Sequence, residues 1–201
     1  MRVILIVVVG CWLAVAVAGA ASAEPPARSG SYTLVENARL VQPGNHSKRA
    51  VEATSTGDPF TWGAVDLAIP ANLTLGQLNT LSTDYRSALG SCWGGSPRFE
   101  AWVTDGIDTR KVHFFIGPSP SYTGCPTGVW GGSGNVAAPS SRVDDGQLGG
   151  STSDPYSNTQ ARWGSYAVTH VYLDVDGGWN GNQAVDFDNT KVNSSLFTFE
   201  K

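Results

Sequence analysis

Apolar and polar positions alternate through much of the chain. In residues 99–104 (FEAWVT), Phe99, Ala101 and Val103 fall on one side, and Glu100, Trp102 and Thr104 on the other. A period of two is the mark of a half-buried strand. After the turn signal Asp105-Gly106-Ile107-Asp108, the pattern resumes at Val112, Phe114 and Ile116. Two such runs around a glycine-containing loop predict a β-hairpin. Residues 64–69, 168–175, 184–188 and 195–199 carry the same alternation and predict further strands.

One stretch departs from this period. Leu75, Leu78, Leu81 and Tyr85 recur at three to four residues, after Thr74 as a candidate N-cap. That spacing predicts a short helix or helical turn near 74–85, its leucines capping an open end of the core. Residues 117–165 carry little periodicity. They hold Pro118, Pro120, Pro126, Pro139 and Pro155 among many glycines and serines, and read as long loops. Short strands with turn-rich connections predict an all-β fold, a two-sheet antiparallel sandwich of jelly-roll type. A closed barrel is the alternative.

Composition narrows the setting. Residues 1–23 consist of one early arginine, a long apolar run and Ala21-Ser22-Ala23, the layout of a secretory signal peptide. An uncleaved anchor and, from Val9-Gly10-Cys11, a lipoprotein are the alternatives. Residues 24–31 read as a flexible lead-in and 32–201 as a single domain. No later stretch is apolar enough for a membrane helix. The net charge is −4, and −5 once the single leader charge, Arg2, is removed. A mildly acidic chain with scattered cations is a poor nucleic-acid binder. In an exported chain, Cys92 and Cys125 read as a disulfide, closing a loop worth roughly 3 to 4 kcal/mol.

Candidate chemistry concentrates in residues 172–189 (YLDVDGGWNGNQAVDFDN). The flanking runs predict a hairpin with Val171, Leu173, Val175, Val185 and Phe187 inward. Asp174, Asp176, Asp186 and Asp188 would then share the other side, with Asn189 beside them. Carboxylates facing one another repel, and calcium, which takes oxygen ligands, would relieve that. The competing reading is four solvated carboxylates and an ordinary Asx turn. The spacing excludes an EF-hand.

Sugar binding has candidates too. Trp179 sits at a Gly-flanked loop tip, Trp130 in a glycine-rich loop, and Trp102 on the face opposite the apolar one. With Tyr172, Asn180 and Asn182 they could offer rings and amides to pyranoses. Trp62 and Trp163 are expected to pack under loops. Signatures of nucleophilic, zinc-dependent or nucleotide-dependent catalysis are missing from the sequence. A lyase or hydrolase would need Glu100, His113 and a tyrosine within reach of one another in a cleft.

Cys92 to Phe99 followed by a strand, then Cys125-Pro126, Leu173 to Trp179 and Val185 to Asn189, together resemble small secreted proteins of high-GC Gram-positive bacteria, over roughly residues 60 to 195. Asp186 to Asn193 (DFDNTKVN) resembles the last strand of jelly-roll carbohydrate-binding modules and galactose-binding-like domains. The resemblance implies a sandwich with a surface or glycan-associated role. The expectation is therefore a secreted, non-catalytic carbohydrate-binding module, with calcium as a possible support. The alternatives are a secreted structural or host-interaction protein and a polysaccharide lyase or hydrolase.

Overall fold

Where side chains alternate, strands form. The computed structural model describes residues 28–179 and 181–200. In chain order its strands are β1 (Arg28–Ser29), β2 (Tyr32–Glu36), β3 (Ala38–Val41), β4 (Ala50–Ser55), β5 (Gly63–Leu67), β6 (Leu81–Leu89), β7 (Arg98–Thr104) and β8 (Thr109–Phe115). There follow β9 (Gly131–Gly132), β10 (Arg142–Asp144), β11 (Asp154–Pro155), β12 (Ala167–Val175), β13 (Gln183–Val192) and β14 (Ser195–Phe197). One α-helix, α1 (Tyr156–Trp163), precedes β12.

The strands make two sheets. One runs β11-β10-β8-β7-β12-β5-β2. In the other, β13 is central, with β6 and then β9 on one side and β4 with β3, then β14 with β1, on the other. The order β4-β13-β6-β9 in one sheet lies against β5-β12-β7-β8 in the other. Consecutive strands (4 and 5, 6 and 7, 12 and 13) therefore take matching places in opposite sheets, which is the jelly-roll arrangement. The expected all-β antiparallel sandwich is what forms.

Between the sheets sits one core. Phe99, Ala101, Val103, Val112, Phe114, Val171, Leu173 and Val175 meet Val51, Ala53, Val185 and Phe187, all fully buried. The β7–β8 hairpin pairs Phe99 with Phe114 and Ala101 with Val112. Cys92 and Cys125 are joined, with Cα atoms 5.1 Å apart. Leader residues 1–23 lie outside the described residues. Within the stretch read as a lead-in, Arg28–Ser29 pair in parallel with Ser195 and Leu196.

Two details differ from the sequence reading. The helical segment near 74–85 shrinks to one 3-10 turn, Leu75–Gln77, closed by the Gln77 side chain accepting from the Thr74 N–H. From Leu81 the chain is already strand β6. Leu75, Leu78 and Leu81 are nevertheless fully buried, and the Tyr156 hydroxyl donates to the Leu75 and Leu78 carbonyls at 2.8 Å. Helix α1 went unpredicted because its inward face is not a hydrophobic stripe. Thr159 is buried there with its hydroxyl on the fully buried Asp145 carboxylate, 2.7 Å away.

The second correction concerns residues 172–189, which are not a hairpin. β12 pairs with β5 and β7, whereas β13 pairs with β4, β6 and β14. Each strand keeps the predicted parity, but the two belong to opposite sheets. The crossing turns at Gly177, where a Cβ would overlap the Asp58 and Thr61 carbonyl oxygens, and at Gly178, with φ +83°. Asp174 and Asp176 thus lie on one outer face of the sandwich, and Asp186 and Asp188 on the other.

Candidate functional site

On the outer face of the β7–β12 sheet, residues that should be plain solvent-facing side chains are aromatic or charged instead. β7 presents Arg98, Glu100 and Trp102. β8 presents Lys111 and His113, and β12 presents His170, Tyr172 and Asp174. Trp62, just before β5, and Asp176, just after β12, close one end. Together Trp62, Arg98, Glu100, Trp102, Lys111, Tyr172, Asp174 and Asp176 line a groove of about 350 Å³.

Its rings form a connected set. Trp102 lies 5.4 Å from Tyr172 and 5.7 Å from His170, centroid to centroid. His170 stacks on Tyr172, with planes 14° apart, and Trp62 stands edge-on to Tyr172 at 6.5 Å. The Lys111 ammonium sits 5.0 Å above the Trp102 ring, a cation–π contact. His170 Nδ1 is held 3.1 Å from Asp66 Oδ2.

Beneath the rings is an ionic floor. Arg98, whose side chain is 11% exposed, reaches Glu100 Oε1 at 2.6 Å and Asp176 Oδ2 at 2.8 Å, and donates to the Gly95 carbonyl at 2.9 Å. Lys111 reaches Glu100 Oε2 at 2.9 Å, and the Trp102 indole N–H donates to the same oxygen at 3.2 Å. His113 Nε2 stands 3.3 Å from Glu100 Oε1. Burial works against the Glu100 charge, but His113, Arg98 and Lys111 outweigh it and hold the carboxyl well below the usual carboxylate range. Asp174 goes the other way. Burial, reinforced by the Glu100 and Asp176 charges against the pull of Arg98, pushes its carboxyl up to about 8. Asp174 Oδ1 is buried without a hydrogen bond, 3.6 Å from Arg98 Nε. Burial, then the Asp66 and Glu100 charges, raise the Tyr172 phenol.

Of the sugar-binding candidates, the structure brings Trp102 and Tyr172 together in this groove. Trp130 lies on the other sheet's face, its ring 4.9 Å from the Arg86 guanidinium. Trp179 packs against Gly95, where a Cβ would overlap its ring. It braces the loop whose carbonyl holds Arg98 and does not line the groove. Asn182 is exposed in the β12–β13 connection, and Asn180 lies outside the described residues. Trp62, expected to pack under a loop, is instead a wall of the groove. Arg98, Glu100, Lys111 and His170 were not among the sugar-binding candidates. The signal that marks them is the outward parity of β7, β8 and β12 itself.

The five metal candidates are split. Asp174 and Asp176 have Arg98. Asp186 pairs with Arg86 at 2.6 Å. In both places an arginine relieves the repulsion for which a cation was invoked. Only Asp188 and Asn189 remain as a set. Asp188 faces Asp84 across β6 and β13, and the Asn45 and Asn189 amides both donate to Asp84 Oδ2 at 2.9 Å. Burial, helped by the Asp84 charge, raises the Asp188 carboxyl against hydrogen bonds from Ser47, Asn189 and Asn45. Among the described residues, no group of three or more His, Cys, Asp or Glu side chains is placed to hold a metal ion.

The fold and this face define a jelly-roll sandwich with an aromatic and ion-paired groove across one sheet. No protein-family model matches the chain, and no curated protein matches it. Among solved structures it is similar to the family 11 carbohydrate-binding module of the cellulosomal cellulase Lic26A-Cel5E of Clostridium thermocellum, at 15% identity and a TM-score of 0.45, over 85% of this chain and 88% of that one. No residue role is carried across at that distance. No helix among the described residues is long and apolar enough to cross a membrane.

Proposed function

We propose that the protein is an exported glycan-binding protein that lays a neutral polysaccharide backbone along the groove of the β7–β12 sheet. The observation that carries this is the ring set Trp62, Tyr172 and Trp102 standing over a fixed ionic floor. Pyranose rings offer apolar C–H faces to such rings and hydroxyls to such charges. The groove's two cations, Arg98 and Lys111, are matched by Glu100 and Asp176 while burial keeps Asp174 protonated at neutral pH, which favours an uncharged ligand. Export rests on residues 1–23 and on the disulfide.

The trio required by the catalytic alternative does come together. Glu100 and His113 are 3.3 Å apart, and Tyr172 is paired opposite Glu100. Yet Glu100 is gripped by Arg98, Lys111 and Trp102, and the raised Tyr172 phenol stays protonated at neutral pH. Such groups orient a ligand better than they transfer its protons. A secreted structural or host-interaction protein would contact its partner through a large apolar patch without a groove, and the groove speaks against that alternative. Affinity electrophoresis against soluble glucan, xylan, mannan and galactan is expected to retard the protein on at least one. Retardation on none would refute the proposal, and release of new reducing ends would favour the catalytic alternative.

Calcium remains part of the proposal at one place, the Asp84–Asp188 pair, where neither carboxylate has a cationic partner among the described residues. Exchanging EDTA for calcium at 100 times its Kd would then add about 2.7 kcal/mol of stability. Thermal unfolding should shift upward by several degrees in the wild type and not in Asp188→Asn. Identical melting in calcium and EDTA would remove calcium from the account.

A further inference from the structure

Next to the groove, at the edge where β8 meets the loop running beside β6 of the other sheet, lies a second hollow of about 400 Å³. It begins one strand over. Phe115 of β8 is the register partner of Arg98 and forms its wall with Tyr122, the ring centroids 5.2 Å apart. Tyr122 is held there by the disulfide loop: its carbonyl accepts from the Gly94 N–H, its N–H donates to Pro118, and it adopts φ +54°. A bulky side chain rarely takes that conformation.

The hollow's polar lining is one-sided. Asn135, Ser133 and Ser141 are spent on backbone partners. Among the described residues, the hydroxyls of Ser119, Ser140 and Tyr122 have no hydrogen-bond partner, and the Arg142 guanidinium makes one hydrogen bond, from Nη1 to the Ser153 carbonyl. No carboxylate of the described residues lines the hollow. Of the two nearby on β10 and β11, Asp154 is hydrogen-bonded by Arg162 and Asn158 while also feeling the Arg142 charge, and Asp144 accepts from the Gly146 N–H beside His113. The central groove, by contrast, contains Glu100, Asp174 and Asp176.

We propose that this hollow is a second subsite, which takes an acidic sugar residue of the glycan, its carboxylate on Arg142 and its ring against Phe115 and Tyr122. The guanidinium fork matches a carboxylate in geometry as well as charge. The inference deepens the glycan-binding proposal, since it makes the ligand a neutral backbone with an acidic residue set two strands from Tyr172. It can nevertheless be tested without the groove.

The test is NMR titration of the full-length mature protein with D-glucuronate, D-glucose and inorganic sulfate as probes. Glucuronate is expected to shift the amides of Ser119, Tyr122, Ser140 and Arg142, with glucose leaving them in place. The glucuronate response should weaken at least tenfold in Arg142→Gln and persist in Tyr122→Phe, which keeps the ring, both with unchanged melting. Sulfate acting as strongly as glucuronate would overturn the sugar assignment, and no glucuronate response, or one equal to that of glucose, would overturn the subsite. Failure of the groove is seen separately, as neutral-glycan binding that Trp102→Ala leaves intact.

Discussion

Trp102→Ala is expected to reduce affinity for the bound glycan by about 30- to 100-fold, since truncating a central aromatic anchor costs ~2 kcal/mol or more and 1.4 kcal/mol is tenfold. The ring occupies the middle of the groove, touching His170 and Tyr172 and lying under Lys111. It faces outward from the sheet, so the core beneath is untouched and melting should move little. Trp102→Phe keeps a stacking face but loses the indole N–H on Glu100, and should recover most of the affinity. Titration calorimetry reads both. Equal affinity in wild type and Trp102→Ala would mean the glycan binds elsewhere.

Arg98→Met is expected to cost stability rather than affinity alone. It strips the cation from Asp174 and Asp176 and leaves Glu100 with Lys111 alone, while two carboxyls stay buried. Removing one member of a buried ion pair costs about 3 to 5 kcal/mol, and each kcal/mol is worth roughly 2–4 °C for a domain of this size. The loss should depend on pH in a definite sense. Asp174 has its carboxyl raised, so the folded state binds the proton more tightly. Its contribution is present at acid pH and lost as pH climbs from about 4, the unfolded value, through about 8. Adding Asp174→Asn to Arg98→Met should therefore restore stability at pH 9 and little at pH 5. Thermal unfolding at the two pH values checks it, and equal rescue at both would contradict the account of Asp174. Glu100, held low, has the opposite sign: its contribution is present above about 4.5, the unfolded value, and is lost progressively as pH falls below it.

Much of the fold was legible because each strand's alternation is local. Phe99, Ala101 and Val103 point inward whatever strand lies beside them. Which strand lies beside which is a long-range matter. Nothing within residues 172–189 says that β12 pairs with β5 and β7 while β13 joins the other sheet, so the four aspartates could not be divided correctly from parity alone. Helix α1 escaped because its buried positions include Thr159, satisfied by Asp145, rather than an apolar stripe. The site divides along the same line. Trp102 and Tyr172 were legible as outward aromatics, but Trp62 depends on tertiary placement. Loop-tip Trp179 drew attention by its glycines, and those glycines serve a tight crossing between sheets.

The central claim is that one face of the sandwich holds the glycan. It is tested most directly by mapping amide shifts on titrating the polysaccharide that retards the protein. Changes are expected on β5, β7, β8 and β12, centred on Glu100, Trp102 and Tyr172, with β4 and β13 unmoved. Changes centred on Trp130 and Arg86, or on the Trp179 loop alone, would contradict it.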